Sequence, residues 1–248
     1  MADLLYEFPL NEKIRTYLRV ETLVKRAEAQ LAHPDVWAKM DFLNALFALL
    51  DVVERGDLKS DLLKDLEKHE KQLVLWSQHP GIDNTALQAT LTQLVDMSSH
   101  LANSAKLGQS LRDDRFLSPI KQRFAIPGGN CCFDLPNLHQ WLHQNNDITS
   151  QDQQKWLKKL EPLKNAVILN LKMLREKSNF ETVAAVAGAY QKSVDSVELL
   201  RLKLPLNCIY YPTVSGHKSR FSIRFMQPDE QQGKSSCEDT LNFELAIC

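Results

Sequence analysis

The alternation of apolar and polar side chains changes period once along the chain. Up to about Lys177 the apolar residues recur at helical spacing; beyond it they recur at every second position. Ile14, Tyr17, Leu18, Val24 and Ala27 predict a first helix, and Pro34 ends it or begins the next. From Asp35 to Glu54 two apolar rows run side by side, Val36-Met40-Leu43-Phe47-Leu50 and Phe42-Leu46-Leu49-Val53. Two rows mean neighbours on two sides, so this helix is central or serves a subunit interface. Gly56 is placed to stop this second helix at its C-terminus, and Leu58, Leu62, Leu66, Leu73 and Trp76 mark a third helix with a charged outer face. Asp83 is placed to cap a fourth helix carrying Leu87, Leu91, Leu94 and Leu101. The Ile126–Gly129 run "IPGG" predicts a turn, and Pro136 opens a short helix. Ser150 with Gln153 reads as a capping box, and Pro162 kinks or restarts the helix that follows.

After Lys177 three segments alternate. Leu200, Leu202 and Leu204 oppose Arg201 and Lys203. Phe221, Ile223 and Phe225 oppose Arg220, Ser222 and Arg224. Leu241, Phe243, Leu245 and Ile247 oppose Asn242, Glu244 and Ala246. These runs predict an antiparallel sheet with one covered and one wet face, on which Arg201 and Lys203 would join Arg220 and Arg224. Residues 228–239 read as a polar loop. The fold class is therefore α+β, a mainly helical domain over residues 10–178 and a small antiparallel β domain over 179–248. The edge-strand pattern at residues 4–9 and the segment 124–133 are candidates to join the β domain.

The chain has 248 residues, with 30 Lys+Arg against 31 Asp+Glu and a net charge of -1. That balance excludes a general nucleic-acid coat but permits local basic patches. The first residues lack a basic leader, and no apolar run approaches the ~20 residues that span a bilayer. Five cysteines without a C-x-x-C read as reduced thiols in a cytoplasmic protein. Adjacent Cys131 and Cys132 suit burial better than a disulfide.

Chemistry-bearing candidates are few. Gly216-His217-Lys218-Ser219 ends like a phosphate loop, but it lacks the second glycine and a following helix, so a nucleotide site is rejected. His139 and His143 share a helical face without a carboxylate to complete a metal set. No Ser/His/Asp or Cys/His arrangement emerges, and neither a metal nor a cofactor is expected. Basic residues cluster in three places. Arg220 and Arg224, with Lys218 and His217, share a strand face. Arg15 and Arg19 share a helical face near Lys25 and Arg26. Arg112, Arg115, Lys121 and Arg123 lie beside Asp113 and Asp114. The strand suits an acidic-peptide dock, because a guanidinium offers a carboxylate two parallel donors. The alternative is a nucleic-acid-binding module using Phe221, Phe225 and Tyr210.

The segments "YEFPLNEKIRTYLRVE", "LLDVVERGDLKSDLLKDLEK", "IPGGNCCFDLPNLHQWLH" and "YYPTVSGHKSRFSIRFM" together resemble the bacterial ZapD family of cell-division proteins. The resemblance runs from Tyr6 to the final residues. It implies a cytoplasmic, non-enzymatic homodimer at the mid-cell division site, with no nucleic acid and no membrane as partner. It also implies capture of the FtsZ C-terminal tail in a positively charged pocket, and bundling of FtsZ filaments. The positions matching that pocket are Arg19, Arg115, Arg220 and Arg224, with Lys218, His139, His217 and Arg15 as neighbours.

Overall fold

A computed structural model describes residues 3–54, 57–77, 84–104, 106–229 and 233–248. The expected stop at Gly56 and the expected cap at Asp83 lie outside these residues. Among them are nine helices and eight strands, an α+β fold. The chain divides into two compact units: Met1–Thr16 with Leu171–Cys248, and Tyr17–Asn170. The division falls inside helices α1 (Glu12–Gln30) and α9 (Glu161–Arg175), so the β unit includes the start of one helix and the end of another.

The helical unit is organised on α2 (Val36–Glu54). Its two apolar rows are both used: Met40, Phe42, Leu43, Leu46, Phe47, Leu49, Leu50 and Val53 are all buried. Asp35 starts the helix by accepting from the backbone N–H groups of Trp37 and Ala38, each at 3.0 Å. Helices α3 (Leu58–Trp76) and α4 (Asn84–Asn103) pack as a pair, burying Leu58, Leu62, Leu66 and Leu73 against Leu87, Leu94 and Leu101. Short helices α5 (Gln109–Arg112), α6 (Leu117–Phe124) and α7 (Pro136–Leu142) lead to α8 (Asn146–Lys158). Four rings tie them to α2: Phe116 stacks on Trp156 at 5.9 Å, Trp141 lies 5.5 Å from Trp156, and Phe42 lies 6.3 Å from it.

Lys39 is buried on α2 and donates from Nζ to the Leu142 carbonyl (3.2 Å) and Asn146 Oδ1 (3.0 Å), bracing the α7–α8 junction. The helix after that junction starts earlier than Ser150 suggests. Asn145 caps it through its side-chain oxygen, and Ser150 sits inside it. Pro162 restarts the chain as expected, at the second position of α9. Residues 125–134 are a succession of turns in the helical unit, not a companion of either sheet.

The β unit departs from the single sheet expected. It holds two four-stranded antiparallel sheets. The first has the order β1 (Asp3–Pro9), β4 (Leu199–Pro205), β8 (Leu241–Ile247), β2 (Glu181–Ala185). The second has the order β3 (Ala189–Ser193), β6 (Arg220–Asp229), β5 (Tyr211–His217), with β7 (Gly233–Ser236) also paired to β6. Strand β7 lies in what reads as a polar loop. The apolar sides of both sheets meet in one core of Leu200, Leu202, Leu204, Phe221, Ile223, Phe225, Phe243 and Leu245. The Phe225 and Phe243 rings, one from each sheet, meet edge-on at 4.9 Å.

Two predictions follow from the helical unit. Trp156→Ala empties the centre of the ring cluster and should cost about 3–5 kcal/mol by urea unfolding; a loss under about 1 kcal/mol contradicts that role. Burial lowers the Lys39 pKa below 10.5, with Asp35 opposing. In the window just under 10.5 the unfolded chain binds more protons, so stability rises with pH there. Urea midpoints at two pH values in that window should rise, and the rise should shrink in Lys39→Met; an unchanged rise contradicts it.

Candidate functional site

Strand β6 is the element on which the site rests. Its burial alternates as its sequence does: Phe221, Ile223 and Phe225 are buried, while Arg220 and Arg224 are exposed. The alternation is forced, since three large apolar side chains at period two can reach only one side of a sheet. The ladder register then fixes the neighbours on the outer face. Arg220 lies between Ser193 and His217, Ser222 between Gln191 and Ser215, and Arg224 between Ala189 and Thr213. No carboxylate stands among these nine positions. Tyr211 and Met226, opposite each other and half-buried, extend the same face with an apolar shelf.

The hairpin β5–β6 turns through Lys218 and Ser219, with His217 paired to Arg220. His217 Nδ1 lies 2.9 Å from Ser219 Oγ, which holds the exposed imidazole across the turn. Gly216 is required by close approach: a Cβ there would fall 2.5 Å from the Arg220 carbonyl oxygen and 2.6 Å from Phe221 Cα. The Gln191 amide oxygen, turned toward Arg220, accepts from its Nε at 3.1 Å.

Arg201 and Lys203 do not add to this face. They belong to the first sheet, where the cross-strand partners are acidic. Arg201 donates to Glu7 Oε1 at 3.1 Å and to the Arg175 carbonyl at 3.2 Å. Arg175 binds the same Glu7 carboxylate with two donors, at 2.8 and 2.6 Å. Lys203 pairs with Glu244 at 3.1 Å and sits 4.0 Å from the Phe180 ring centroid. One sheet thus neutralises its cations internally, and the other leaves them open.

The helical clusters sort the same way. Arg15 pairs with Glu12, Lys25 with Glu21, Arg26 with Asp41 and Lys121 with Asp51. Arg112 spends its guanidinium on the Leu107 carbonyl and Gln109. Arg19 and Arg115 are exposed and make no ion pair among the described residues. Of the eight nominated residues, Arg19, Arg115, Lys218, Arg220 and Arg224 are therefore cations without an acidic partner among the described residues. Lys218, Arg220, Arg224, His217 and Arg15 fall in the β unit; Arg19, Arg115 and His139 fall in the helical unit.

His139 and His143 are exposed, their rings 4.4 Å apart, with His143 Nδ1 turned to the His139 carbonyl. Among the described residues no group of three or more His, Cys, Asp or Glu side chains could hold a metal ion. No helix among them is long and apolar enough to cross a membrane. Cys131 and Cys132 are both exposed free thiols, not buried. Tight turns from residue 126 to 134 keep the segment at the surface, and Phe133 beside them is 80% exposed.

The family model of ZapD, described as "Cell division protein", matches residues 18–224. A Cell division protein ZapD of Pectobacterium atrosepticum is 41% identical over 247 residues, covering 100% of this chain and 98% of that protein. Its counterpart in Vibrio parahaemolyticus is 42% identical over 243 residues, covering 98% of each. That of Yersinia enterocolitica is 40% identical over 247 residues, covering 100% of this chain and 98% of its own length.

The contrast between the two sheets predicts contrasting costs. Arg201→Gln leaves Glu7 short of a donor and should lower stability by roughly 1–3 kcal/mol. Arg220→Gln and Arg224→Gln should stay within about 0.5 kcal/mol of the parent. Equal losses for all three in urea unfolding would contradict the sorting.

Proposed function

The chain belongs to the ZapD family of cell division proteins, and on that premise we propose that it is a non-catalytic adaptor for FtsZ. It binds the FtsZ C-terminal tail on the cationic face of strand β6. As a cytoplasmic homodimer at the mid-cell division site it bundles FtsZ filaments. The partner comes from the resemblance set out above. The observation that carries the dock is the outer face of β6, where Arg220 and Arg224 stand exposed with no carboxylate among their cross-strand neighbours.

An anionic segment reaching that face meets guanidinium groups already held apart by the strand. Charge-assisted hydrogen bonds to carboxylates are roughly twice as strong as neutral ones. Arg224 has no competing carboxylate to leave, and Arg220 has only the neutral amide of Gln191. Lys218 and His217 flank the dock at the hairpin. Arg19 and Arg115 are proposed as further contact points for the same acidic partner. Two copies related by a two-fold axis carry two docks. Once one tail is held, the second binding event is local in concentration, so weak single contacts suffice to bundle filaments.

The nucleic-acid reading loses the rings it relied on. Phe221 and Phe225 are buried in the core at 1% and 0% exposure. Tyr210 is half-buried, its phenol pushed above the usual value by a hydrogen bond with Cys237.

The Arg220→Glu/Arg224→Glu double variant should keep its far-UV circular dichroism and lose co-sedimentation with FtsZ filaments. Parent binding should weaken as salt rises, because exposed charges are screened beyond ~8 Å at physiological ionic strength. Undiminished co-sedimentation of the double variant removes β6 from the dock.

A further inference from the structure

Strand β5 is an outer strand of its sheet. Among the described residues it pairs with β6 alone, and its register is regular from Tyr211 opposite Met226 to His217 opposite Arg220. The direction of its backbone groups follows from β6. Phe225 N–H donates to the Gly188 carbonyl at 2.8 Å, and the Phe225 carbonyl accepts from Cys237 N–H at 2.9 Å, so the groups of Phe225 point away from β5. In an antiparallel ladder successive residues point to opposite sides. Arg224, Ser222 and Arg220 therefore bond β5, and their partners Thr213, Ser215 and His217 point inward. Val214 and Gly216 are left with N–H and carbonyl directed outward, and Pro212 with its carbonyl.

We infer that this edge takes up an acidic peptide in extended form as an added strand, with its carboxylates meeting Arg224 and Arg220 across β5. The inference rests on the tail-binding reading above and specifies how the tail is held. Charge selects the occupant. From Tyr211 to Gly216 the strand carries no charged side chain, and the cationic face lies one strand further in. Neighbouring strands are roughly 4.8 Å apart, so a guanidinium on β6 has to pass only one strand. Thr213 and Ser215 are short enough to let it pass. At the other end Tyr211 and Met226 offer an apolar shelf to a hydrophobic side chain of the same peptide. Of the other outer strands, β1 carries Asp3 and Glu7 and β2 carries Glu181, which repel an acidic peptide. Pro212 fits the same picture, since an edge strand tolerates a proline whose missing N–H faces away from the ladder.

Strand addition leaves a period-two signature that charge capture alone does not. The full-length protein is titrated with a capped octapeptide alternating Asp and Thr, and with two versions N-methylated at all Asp or at all Thr. One methylated version should bind on the order of tenfold more weakly or worse, because its bridging N–H groups are gone, while the other stays within about twofold. Val214→Pro, which deletes an outward donor, should weaken the unmodified peptide without changing the far-UV circular dichroism. Equal binding of both methylated peptides overturns strand addition, and so does no binding of the unmodified one. A Val214→Pro change in the sedimentation of the protein alone also overturns it, because the edge is then a seam between copies. The Arg220→Glu/Arg224→Glu co-sedimentation result separates the two readings. If it fails while the methylation pattern is flat, both fall; if it holds, only strand addition falls.

Discussion

A strand whose alternate side chains must enter a core has no freedom over where the others go. Phe221, Ile223 and Phe225 are committed to the space between the two sheets. Each buried ring or branched chain is worth roughly 1.5–3 kcal/mol. A one-residue slip of β6 would forfeit all three and bury two guanidinium groups instead, at several kcal/mol each. The outward display of Arg220 and Arg224 is thus stabilised by the core beneath it rather than by an ion pair of their own. That is why they can be exposed, without an acidic partner among the described residues, and still well placed.

The cations of this chain differ less in kind than in what folding brings to them. Arg201 and Arg224 occupy equivalent outward positions on two strands of similar pattern. One meets Glu7, 194 residues away in sequence, and becomes part of a network with Arg175 that ties the end of α9 to the first sheet. The other meets Thr213 and Ala189. A cation already satisfied has little to offer a ligand; a cation facing only short neutral side chains is available. The proposed dock rests on the omission of carboxylates as much as on the placement of arginines.

This also explains which features were legible in the sequence. The two rows of α2, the stripe of α3 and the alternation of β4, β6 and β8 are local patterns, and the structure uses them. Strands β3, β5 and β7 were not legible: "AYQKS", "YPTVSGH" and "GKSS" carry too few apolar residues at period two, and pairing to β6 makes them strands. The division into two sheets is likewise set by strand order, which no local pattern records. Asn145 outcompetes Ser150 as a cap because the Lys39 brace fixes where α8 begins. The pairing of Arg220 with Arg224 on one face could be read from spacing. Which of the basic residues would be neutralised could not, because their partners are mostly distant in sequence.

Amide hydrogen exchange of the full chain, with and without an FtsZ C-terminal tail peptide, tests the central claim most directly. The account predicts slowed exchange on binding within residues 211–226, strongest where the outer backbone of β5 and the outer face of β6 meet the peptide. Bound peptide with exchange there unchanged, and protection confined to the first sheet, would contradict it.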